Sequence, residues 1–264
     1  MVIGGVLLTV LVLLSLFAPC IAPYDPIKLN VAHRLRPPSA EHWFGTDAYG
    51  RDVLSRTLWG GQISLTIAVC VSIASTILGT FTGLIAGYFR LMDKIVMRIM
   101  DGLMAIPGIL LAVAMLSLSK ASVQTVVIAI TIPEIPRVVR LVRAVVLSLR
   151  EQTFVEGAVT VGTRAPAIMF RHILPNALTP IVVQATYIAA SAVLIEAYLG
   201  FLGVGTPPEV PSWGNIIAEG RNFIMLAIWA VLFPGLFLGT MVLAINILGD
   251  GIRDMLDPRI AKRL

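Results

Sequence analysis

Apolar stretches of membrane-spanning length recur along the whole chain, and no other feature constrains its fold as strongly. A helix that crosses a bilayer needs about 20 predominantly apolar residues, within a range of about 17–25. Six stretches meet this requirement, and they cover residues 2–18, 64–88, 96–118, 123–139, 179–202 and 223–248. The sequence therefore predicts an all-α membrane protein, a bundle of six transmembrane helices. The fourth stretch is the least regular, because Pro133, Glu134 and Pro136 interrupt it.

The composition agrees with a lipid environment. Only 13% of the 264 residues are charged and 57% are hydrophobic, with a mean hydropathy of +0.90. Soluble domains carry about 25% charged residues, so this deficit excludes an ordinary soluble domain. Two cysteines, Cys20 and Cys70, supply neither a disulfide framework nor a metal site.

The N-terminal stretch LLSLFAPC (13–20) resembles a lipoprotein processing site. However, no basic residue precedes it, and a proline stands directly before Cys20. We therefore interpret residues 1–18 as an uncleaved first transmembrane helix. The lack of basic residues also suggests that a short cytoplasmic piece precedes the given sequence.

Charge asymmetry predicts the orientation. Residues 137–172 hold six arginines and two glutamates, and further basic residues follow the second and sixth stretches: Arg90, Lys94, Arg253, Arg259, Lys262 and Arg263. Short loops rich in Lys and Arg stay in the cytoplasm. Residues 19–63 carry five basic and four acidic side chains, which places them outside. Both termini are then cytoplasmic, as an even number of spans requires.

The outer segment, residues 19–63, contains a predicted amphipathic surface helix. Asp47, Arg51, Asp52 and Arg56 recur at helical spacings, so opposite charges could pair along one face. The apolar face would hold Leu54, Leu58 and Trp59. A second outer connector lies between the fifth and sixth stretches, where Pro207, Pro208 and Pro211 prevent a regular helix and Trp213 suits a membrane interface.

The cytoplasmic loop at 150–177 reads as two short helices. The first covers about residues 151–161 and ends at Gly162, the residue best able to adopt a left-handed C-cap. Thr163 is the predicted N-cap of the second helix, and Pro166 is tolerated in its first turn. Pro175 is expected to end it.

The second helix of this loop would offer a small apolar contact surface. Ile168, Ile173 and Leu174 form that surface, and its rim consists of Arg164, Arg171 and His172. The residues alone leave two interpretations open: a basic loop that rests on lipid headgroups, and a docking element for another protein.

Polar side chains within the apolar stretches are candidates for a transport pathway, because an ionised carboxylate at mid-span costs about 2.5–3.5 kcal/mol. They are Asp101, Glu134, Glu196, Asn246 and Asp250. Glu196 is expected to face the bundle interior. Asp101, near Arg98, could form a structural ion pair or belong to the pathway.

Two stretches share a proline-glycine pair at matching depth, AIPGILL (105–111) and LFPGLFL (232–238). Pro107 and Pro234 should loosen both helices, and such interruptions can mark a pathway or gate. Packing kinks explain them equally well.

Several other function classes lack sequence support. Arg137, Arg140 and Arg143 imitate a voltage sensor, but they continue into a basic loop where arginine is already expected. No H-E-x-x-H or G-x-S-x-G motif indicates a hydrolase. The three histidines, at 33, 42 and 172, are scattered, and no metal site is predicted. An ion-driven secondary transporter remains an alternative.

Part of the basic loop resembles a known signature. Glu156, Ala158, Gly162 and the run Ile173-Leu174-Pro175 are similar to the "EAA…G…I-LP" motif of ABC importer permeases. Gly157 departs from it, because it stands where that family has its first alanine, which weakens the helix by about 1 kcal/mol. The resemblance implies that this loop docks into a cytoplasmic ATPase, with Arg164 and Arg171 at the contact.

Three further stretches narrow the resemblance. HWFGTDAYGRDVLSRTLWGGQISL (42–65), EAYLGFLGVGTPPEVPSWGNIIAEGR (196–221) and INILGDGIRDMLDPR (245–259) resemble the C-type subunit of the dipeptide/oligopeptide/nickel family of ABC importers. Residues 64–264 would form a type I permease core. The resemblance implies a solute-binding-protein contact at Asp47, Arg51, Asp52, Pro208 and Trp213. The candidates for a path or gate remain the residues within the spans: Asp101, Pro107, Glu196, Pro234 and Asn246.

The resemblance also implies partners in the bacterial cytoplasmic (inner) membrane. They are a homologous second permease subunit, two ATPase subunits, an extracytoplasmic binding protein and membrane lipid, and nucleic acid is not expected among them. The chain lacks G-x-x-x-x-G-K-[ST], so ATP and Mg²⁺ should bind the ATPase subunits, and the chain itself should need no cofactor and be no enzyme. Peptides are the expected solute, with nickel or another small solute as the alternative.

Overall fold

The computed structural model describes residues 2–256, and these residues form an almost wholly helical chain, which confirms the predicted fold class. The helices are α1 (Val2–Leu16), α2 (Ala18–Ile21), α3 (Val53–Tyr88), α4 (Arg90–Met104), α5 (Gly108–Ser117), α6 (Val123–Arg150), α7 (Thr153–Thr160), α8 (Ala165–Ala167), α9 (Leu174–Phe201), α10 (Trp213–Gly220) and α11 (Trp229–Leu256). Two 3₁₀ turns cover Val31–His33 and Arg221–Phe223, and a π-helical turn covers Ile168–Ile173. The basic residues Arg259, Lys262 and Arg263 lie outside the described residues.

Fewer helices than expected are long and apolar enough to cross a membrane. Within residues 2–256, three helices qualify (Val53–Tyr88, Ala165–Phe201 and Trp229–Met255), and the bent pair α4–α5 would add a fourth. The α1 helix has only 15 residues, and α6 carries Glu134 and three arginines within its apolar part. The prediction of six clear spans is therefore wrong in number.

The predicted span at 96–118 is broken. Helices α4 and α5 meet at an angle of 80°, and Pro107, which directly precedes α5, has an extended backbone with φ −54° and ψ 127°. Proline pushes the residue before it out of the helical region, so the helix ends ahead of Ile106. By contrast, Pro234 lies inside the continuous α11 helix, and Pro133 and Pro136 lie inside α6. The two proline-glycine pairs therefore differ, and only the first one breaks its helix.

Helix α3 starts well before the predicted span at residue 64. Asp52 is its N-cap, and its Oδ2 accepts a hydrogen bond from the Ser55 backbone N–H at 2.8 Å. The expected surface helix does not exist as a separate element, because residues 53–59 form the first turns of α3. Leu58, expected on its apolar face, is buried. The α11 helix begins at Trp229 rather than at the predicted residue 223, and α6 continues past residue 139 to Arg150.

A glycine stripe on α3 packs against a valine stripe on α6. Gly79, Gly83 and Gly87 repeat every four residues, and they face Val138, Val142 and Val146. A Cβ added to Gly83 would stand 2.8 Å from the Val142 Cβ, and one added to Gly87 would stand 2.6 Å from the Val146 Cβ. Small residues at this spacing let two membrane helices approach closely. These two helices, with α9, enclose most of the buried apolar core.

Candidate functional site

The basic segment, residues 150–177, begins with α7 and a left-handed turn. Gly162 has φ +84°, and the backbone N–H of Thr163 donates to the Ala158 carbonyl oxygen at 3.0 Å. This pattern is the Schellman arrangement, which satisfies carbonyl groups that the helix leaves without partners. The predicted conformation at Gly162 is confirmed.

The second half of the basic segment differs from the prediction. Arg164, not Thr163, is the N-cap of α8, although Pro166 lies in the first turn as expected. Pro175 does not end a helix: it lies in the first turn of α9, directly after the π-helical turn Ile168–Ile173. The π-helical turn runs without a break into α9, and its irregular hydrogen-bond pattern accommodates a proline that the interior of a regular α-helix would not. The segment is therefore rigidly continuous with a membrane helix.

The apolar surface expected on this segment points inward. Ile168 and Ile173 are buried in the apolar core, and Leu174 packs against it half-buried. Other side chains form the exposed face: Phe154, Val159, Val161 and Phe170 are apolar, and Glu156, Arg164 and Arg171 are charged. The spacing of apolar residues shows which of them share one face of a helix, but not whether that face is buried or exposed. The sequence therefore indicates the correct apolar residues, and the prediction that they form the exposed face is wrong.

The basic segment is tied to α3 by Arg150. Its Nη1 donates to the carbonyl oxygens of Gly87 at 3.0 Å and Tyr88 at 3.2 Å. Val155 of α7 lies in the apolar core. A cleft of 530 Å³ lies beside these groups, and Glu156 and Thr160 also line it.

A buried ion cluster, which we call the Asp47 cluster, lies at the opposite end of α3. It consists of Asp47, Arg51, Arg56 and Glu219. Asp47 Oδ2 lies 2.7 Å from both Arg51 Nε and Arg56 Nη1. Arg56 Nη1 also lies 2.6 Å from Glu219 Oε2, and Arg51 Nη2 donates to the same oxygen. The cluster joins the loop before α3 to helix α10.

This burial contradicts the expected exposed contact surface. Asp47, Arg51, Asp52 and Trp213 are all buried, and Trp213 is fully enclosed, with Nε1 donating to the Thr57 carbonyl oxygen at 2.9 Å. Trp213 therefore does not sit at a membrane interface. Pro208 is exposed as expected. Asp47 and Arg51 do pair as the spacing suggested, but they do so in a turn rather than along a helix.

Glu196 faces the interior of the bundle, as its cost in lipid led us to expect. Its side chain is fully buried, and one carboxylate oxygen accepts a hydrogen bond from Ser64 Oγ at 2.9 Å. Its other oxygen, Oε1, has no hydrogen-bond partner among the described residues. A buried oxygen without a partner is costly, so this carboxyl group stands out within the buried interior of the bundle.

Arg137, Arg140 and Arg143 of α6 each have a carboxylate partner. Arg137 Nη1 lies 3.1 Å from Glu134 Oε1, Arg140 Nη2 lies 2.6 Å from Asp101 Oδ1, and Arg143 Nη2 lies 2.8 Å from Asp93 Oδ2. Asp101 therefore pairs with Arg140 of α6 rather than with Arg98. Two of the three pairs join α6 to α4. The arrangement is that of cross-links between helices, and it gives the voltage-sensor interpretation no support.

The remaining candidates do not gather into one site. Asn246 donates from Nδ2 to the Val242 carbonyl oxygen within α11 at 2.9 Å.

Sequence reasoning missed Arg150, Glu219 and the glycine stripe. The stripe had a readable signal, since small residues recurred at 79, 83 and 87. Glu219 had none, because its partner Arg51 is 168 positions away.

Comparison with known proteins agrees with this architecture. Residues 75–262 match the family described as "Binding-protein-dependent transport system inner membrane component". Residues 1–38 match "N-terminal TM domain of oligopeptide transport permease C". The chain belongs to this family of binding-protein-dependent transport permeases. The match covers both the basic segment and the membrane helices around it.

Similar permeases extend over nearly the whole chain. A probable peptide ABC transporter permease of Sinorhizobium fredii is 48% identical and spans 99% of this chain and 89% of that protein. The dipeptide transport permease DppC of Alkalihalophilus pseudofirmus is 44% identical over 98% of this chain and 86% of that protein. The glutathione transport permease GsiD of Pectobacterium atrosepticum is 39% identical over 98% of this chain and 87% of that protein.

A solved structure shares the permease fold. A chain of the inward-facing MetNI methionine ABC transporter superposes with a TM-score of 0.64 at 20% identity, covering 76% of this chain and 96% of that chain. At this identity the likeness concerns the fold alone. This permease is thus a C-type, multi-pass inner-membrane subunit of an ABC importer, working with an ATPase and further subunits, and is not itself an enzyme.

Proposed function

We propose that this permease forms part of the path by which peptides cross the cytoplasmic membrane in an ATP-driven importer. The observation that carries this proposal is the identity of 44–48% over nearly the whole chain to permeases named for peptide and dipeptide transport. Nickel or another small solute is the alternative within the same family. The proposed orientation has both termini and the basic segment in the cytoplasm, because arginine is concentrated there.

The basic segment is the proposed dock for the ATPase. Its exposed face combines Glu156, Arg164 and Arg171 with apolar side chains such as Phe170. Apolar groups rimmed by charge suit a protein interface. Ala158 of α7 packs against the apolar core, and Gly162 provides the left-handed residue of the turn that follows. The inward residues Ile173 and Leu174, with the exposed Pro175 after them, transmit movement to α9.

The remaining partners follow from what this chain lacks. It has no phosphate-binding loop, so ATP and Mg²⁺ are assigned to two partner ATPase subunits. A homologous second permease completes the path, and an extracytoplasmic binding protein delivers the solute. Exposed Pro208 is the proposed contact for that protein, while the buried Asp47, Arg51, Asp52 and Trp213 hold the neighbouring loops in place.

The pathway is proposed to run beside the bend at Pro107. Backbone that leaves the helical conformation at membrane depth is tolerated where it lines a cavity or is covered by protein. Glu196 supplies a buried carboxyl group to the same bundle, and Asp101 and Asn246 lie on the neighbouring helices α4 and α11. Helix α11 stays continuous in spite of Pro234, so α11 is proposed to move as one body.

The proposed mechanism is a shift between two conformations. ATP binds more tightly to the closed pair of ATPase subunits, and this difference in affinity shifts the equilibrium towards the closed conformation. Closure moves α7 and the π-helical turn, and Arg150 and the continuous α9 helix carry that movement into the membrane. The bundle then opens outward.

Uptake by vesicles tests the energy source. The vesicles contain this chain, its permease partner, the ATPases and the binding protein, and labelled dipeptide is the solute. Uptake should require ATP, stop with vanadate and persist when ionophores collapse the proton and sodium gradients. Uptake that survives vanadate but fails with ionophores would assign the chain to ion-coupled transport, with Glu196 and Asp101 as the proton-carrying candidates. Competition by nickel but not by unlabelled dipeptide would replace the peptide assignment.

A further inference from the structure

Two histidines that have no regular spacing in the sequence lie close together in the loop between α2 and α3. His33 ends the 3₁₀ turn Val31–His33, and His42 follows nine residues later. Their ring nitrogens, His33 Nδ1 and His42 Nε2, lie 3.3 Å apart. Glu41 offers a carboxylate oxygen within 4.8 Å of both. The sequence had suggested scattered histidines, because the turn that joins them has no periodic pattern.

The protonation of His42 is set by its other nitrogen. His42 Nδ1 lies 3.0 Å from Asp52 Oδ1, and an ionised carboxylate can only accept. Asp52 Oδ2 is occupied by the backbone N–H and the hydroxyl group of Ser55, both at 2.8 Å. Nδ1 of His42 therefore carries a proton, and in the neutral ring Nε2 then presents its lone pair towards His33. A histidine that binds a metal commonly donates its other ring N–H to a carboxylate in this way.

The distance between the two nitrogens fits a shared metal ion as well as a direct hydrogen bond. Hydrogen bonds from N–H groups to oxygen acceptors cluster at about 2.7–3.2 Å. Two imidazole nitrogens that each bind a tetrahedral zinc ion at about 2.0–2.1 Å stand about 3.3–3.4 Å apart. The observed separation is 3.3 Å, and the rings meet nearly at right angles, at 83°.

The surroundings provide both rigidity and access. The His42 backbone N–H donates to Ser39 Oγ at 3.1 Å, and its carbonyl oxygen accepts from Gly45 at 2.9 Å. Glu41 is exposed and His33 is half-buried, so the Glu41 side chain is free to rotate towards an ion bound by the histidines. All three residues line a cavity of 600 Å³, from which an ion and a water ligand can enter. Lys28 and Asp25 line the same cavity, and their charges offset each other.

We propose that His33, Glu41 and His42 bind a divalent transition-metal ion of the zinc type, with water as the remaining ligand. Two imidazoles and one carboxylate form a ligand set that suits zinc and its neighbours rather than magnesium or calcium. The ion fastens the turn at His33 to the segment before α3, and Asp52 links that segment to the helix itself. This site is independent of the solute that the permease carries.

Metal binding is measured on the assembled transporter, purified without a histidine tag and held in lipid nanodiscs. After equilibration with Zn²⁺ and removal of free ion, atomic emission counts the zinc retained per complex. His33→Gln should remove one zinc per copy of this chain, and Glu41→Gln should lower the affinity for zinc by at least about tenfold. His172→Gln and Glu209→Gln, the matched controls elsewhere in the chain, should retain the zinc of the wild-type complex.

Two further measurements keep the result independent of folding defects. Zn²⁺ should raise the melting temperature of the wild-type complex but not of the His33→Gln complex, because an ion that binds only the folded state stabilises it. Co²⁺ in place of Zn²⁺ should give the intense visible absorption of tetrahedral cobalt, and Glu41→Gln should change that spectrum. Equal zinc retention and equal cobalt spectra in the wild type and in both variants would overturn the proposal.

Discussion

Arg150 donates from Nη1 to the carbonyl oxygen of Gly87 at 3.0 Å, so the end of α6 is fastened to the end of α3. The last carbonyl groups of a helix lack partners within it, and a cation there is also favoured by the helix dipole. Because α7 begins at Thr153, three residues beyond Arg150, this contact lies directly between the proposed ATPase dock and the membrane helices.

Arg150→Met tests that connection, because methionine keeps the apolar stem and removes the donors. Hydrogen bonds from charged groups contribute about 1.5–3 kcal/mol to stability, so the variant should hold α6 to α3 less firmly, and we expect solute uptake per ATP hydrolysed to fall. Uptake and phosphate release are measured in the same vesicles. Arg90→Met, at an exposed position, is the control and should keep the wild-type ratio. An unchanged ratio in Arg150→Met would remove this arginine from the coupling route.

The close packing of the glycine stripe on α3 against α6 leads to a prediction about stability. Gly83→Ala places a methyl group 2.8 Å from the Val142 Cβ and 3.0 Å from the Val139 carbonyl oxygen. Overpacking of this kind costs about 1–3 kcal/mol, which thermal unfolding in detergent should detect as a lower melting temperature. Gly239→Ala in α11 meets nothing within 4 Å and should be neutral or stabilising. The double variant Gly83→Ala, Val142→Ala should recover part of the loss, and no recovery would argue against direct contact.

Gly162 provides a conformational test of the basic segment. Its φ of +84° is a left-handed conformation that a β-branched residue rarely adopts. Gly162→Val should therefore uncouple or release the ATPase while the protein remains inserted, whereas Gly162→Asn should be tolerated. Gly157→Ala serves as the control, since its position is open and helical. Coupled uptake at the wild-type level in Gly162→Val would mean that the turn does not shape the dock.

The Asp47 cluster should be intolerant of losing one charge. Arg56→Met leaves Asp47 with one fewer partner inside a buried site, and breaking a buried pair in this way costs about 3–5 kcal/mol. We expect a clearly lower melting temperature for the purified complex. Glu219→Gln in the same chain should restore part of it by removing a carboxylate that also pairs with Arg56. Lys28→Met, in the exposed part of the same loop, should have no measurable effect.

Orientation is tested by labelling single cysteines. Cys20 and Cys70 are exposed, so both are first replaced by alanine. A cysteine at Thr163 should then react only with reagents that reach the cytoplasm, and a cysteine at Ser39 only from outside. The opposite pattern would reverse the proposed topology, and labelling of both positions from one side would mean that the helices between them cross the membrane an even number of times.

Local chemistry allowed part of this structure to be predicted. Gly162 and Pro166 behave as expected because their conformations depend on neighbouring residues. Pro175 does not, since the π-helical turn before it leads directly into α9 and the helix continues. Inward and outward apolar faces have the same sequence pattern, which is why Ile173 was placed on the surface. Pairing between Arg51 and Glu219 depends on the folded arrangement of elements far apart in the chain.

The bend between α4 and α5 has a consequence for how the chain can exist in a bilayer. At an angle of 80°, the peptide groups around Ile106 lose their helical partners, and each unsatisfied group in hydrocarbon costs several kcal/mol. Lipid cannot supply hydrogen bonds, so this stretch requires water or another protein beside it. Ile106 and Leu110 are nevertheless exposed on the isolated chain. The single subunit thus exposes a bend that hydrocarbon alone cannot surround, and water or a neighbouring protein must cover it.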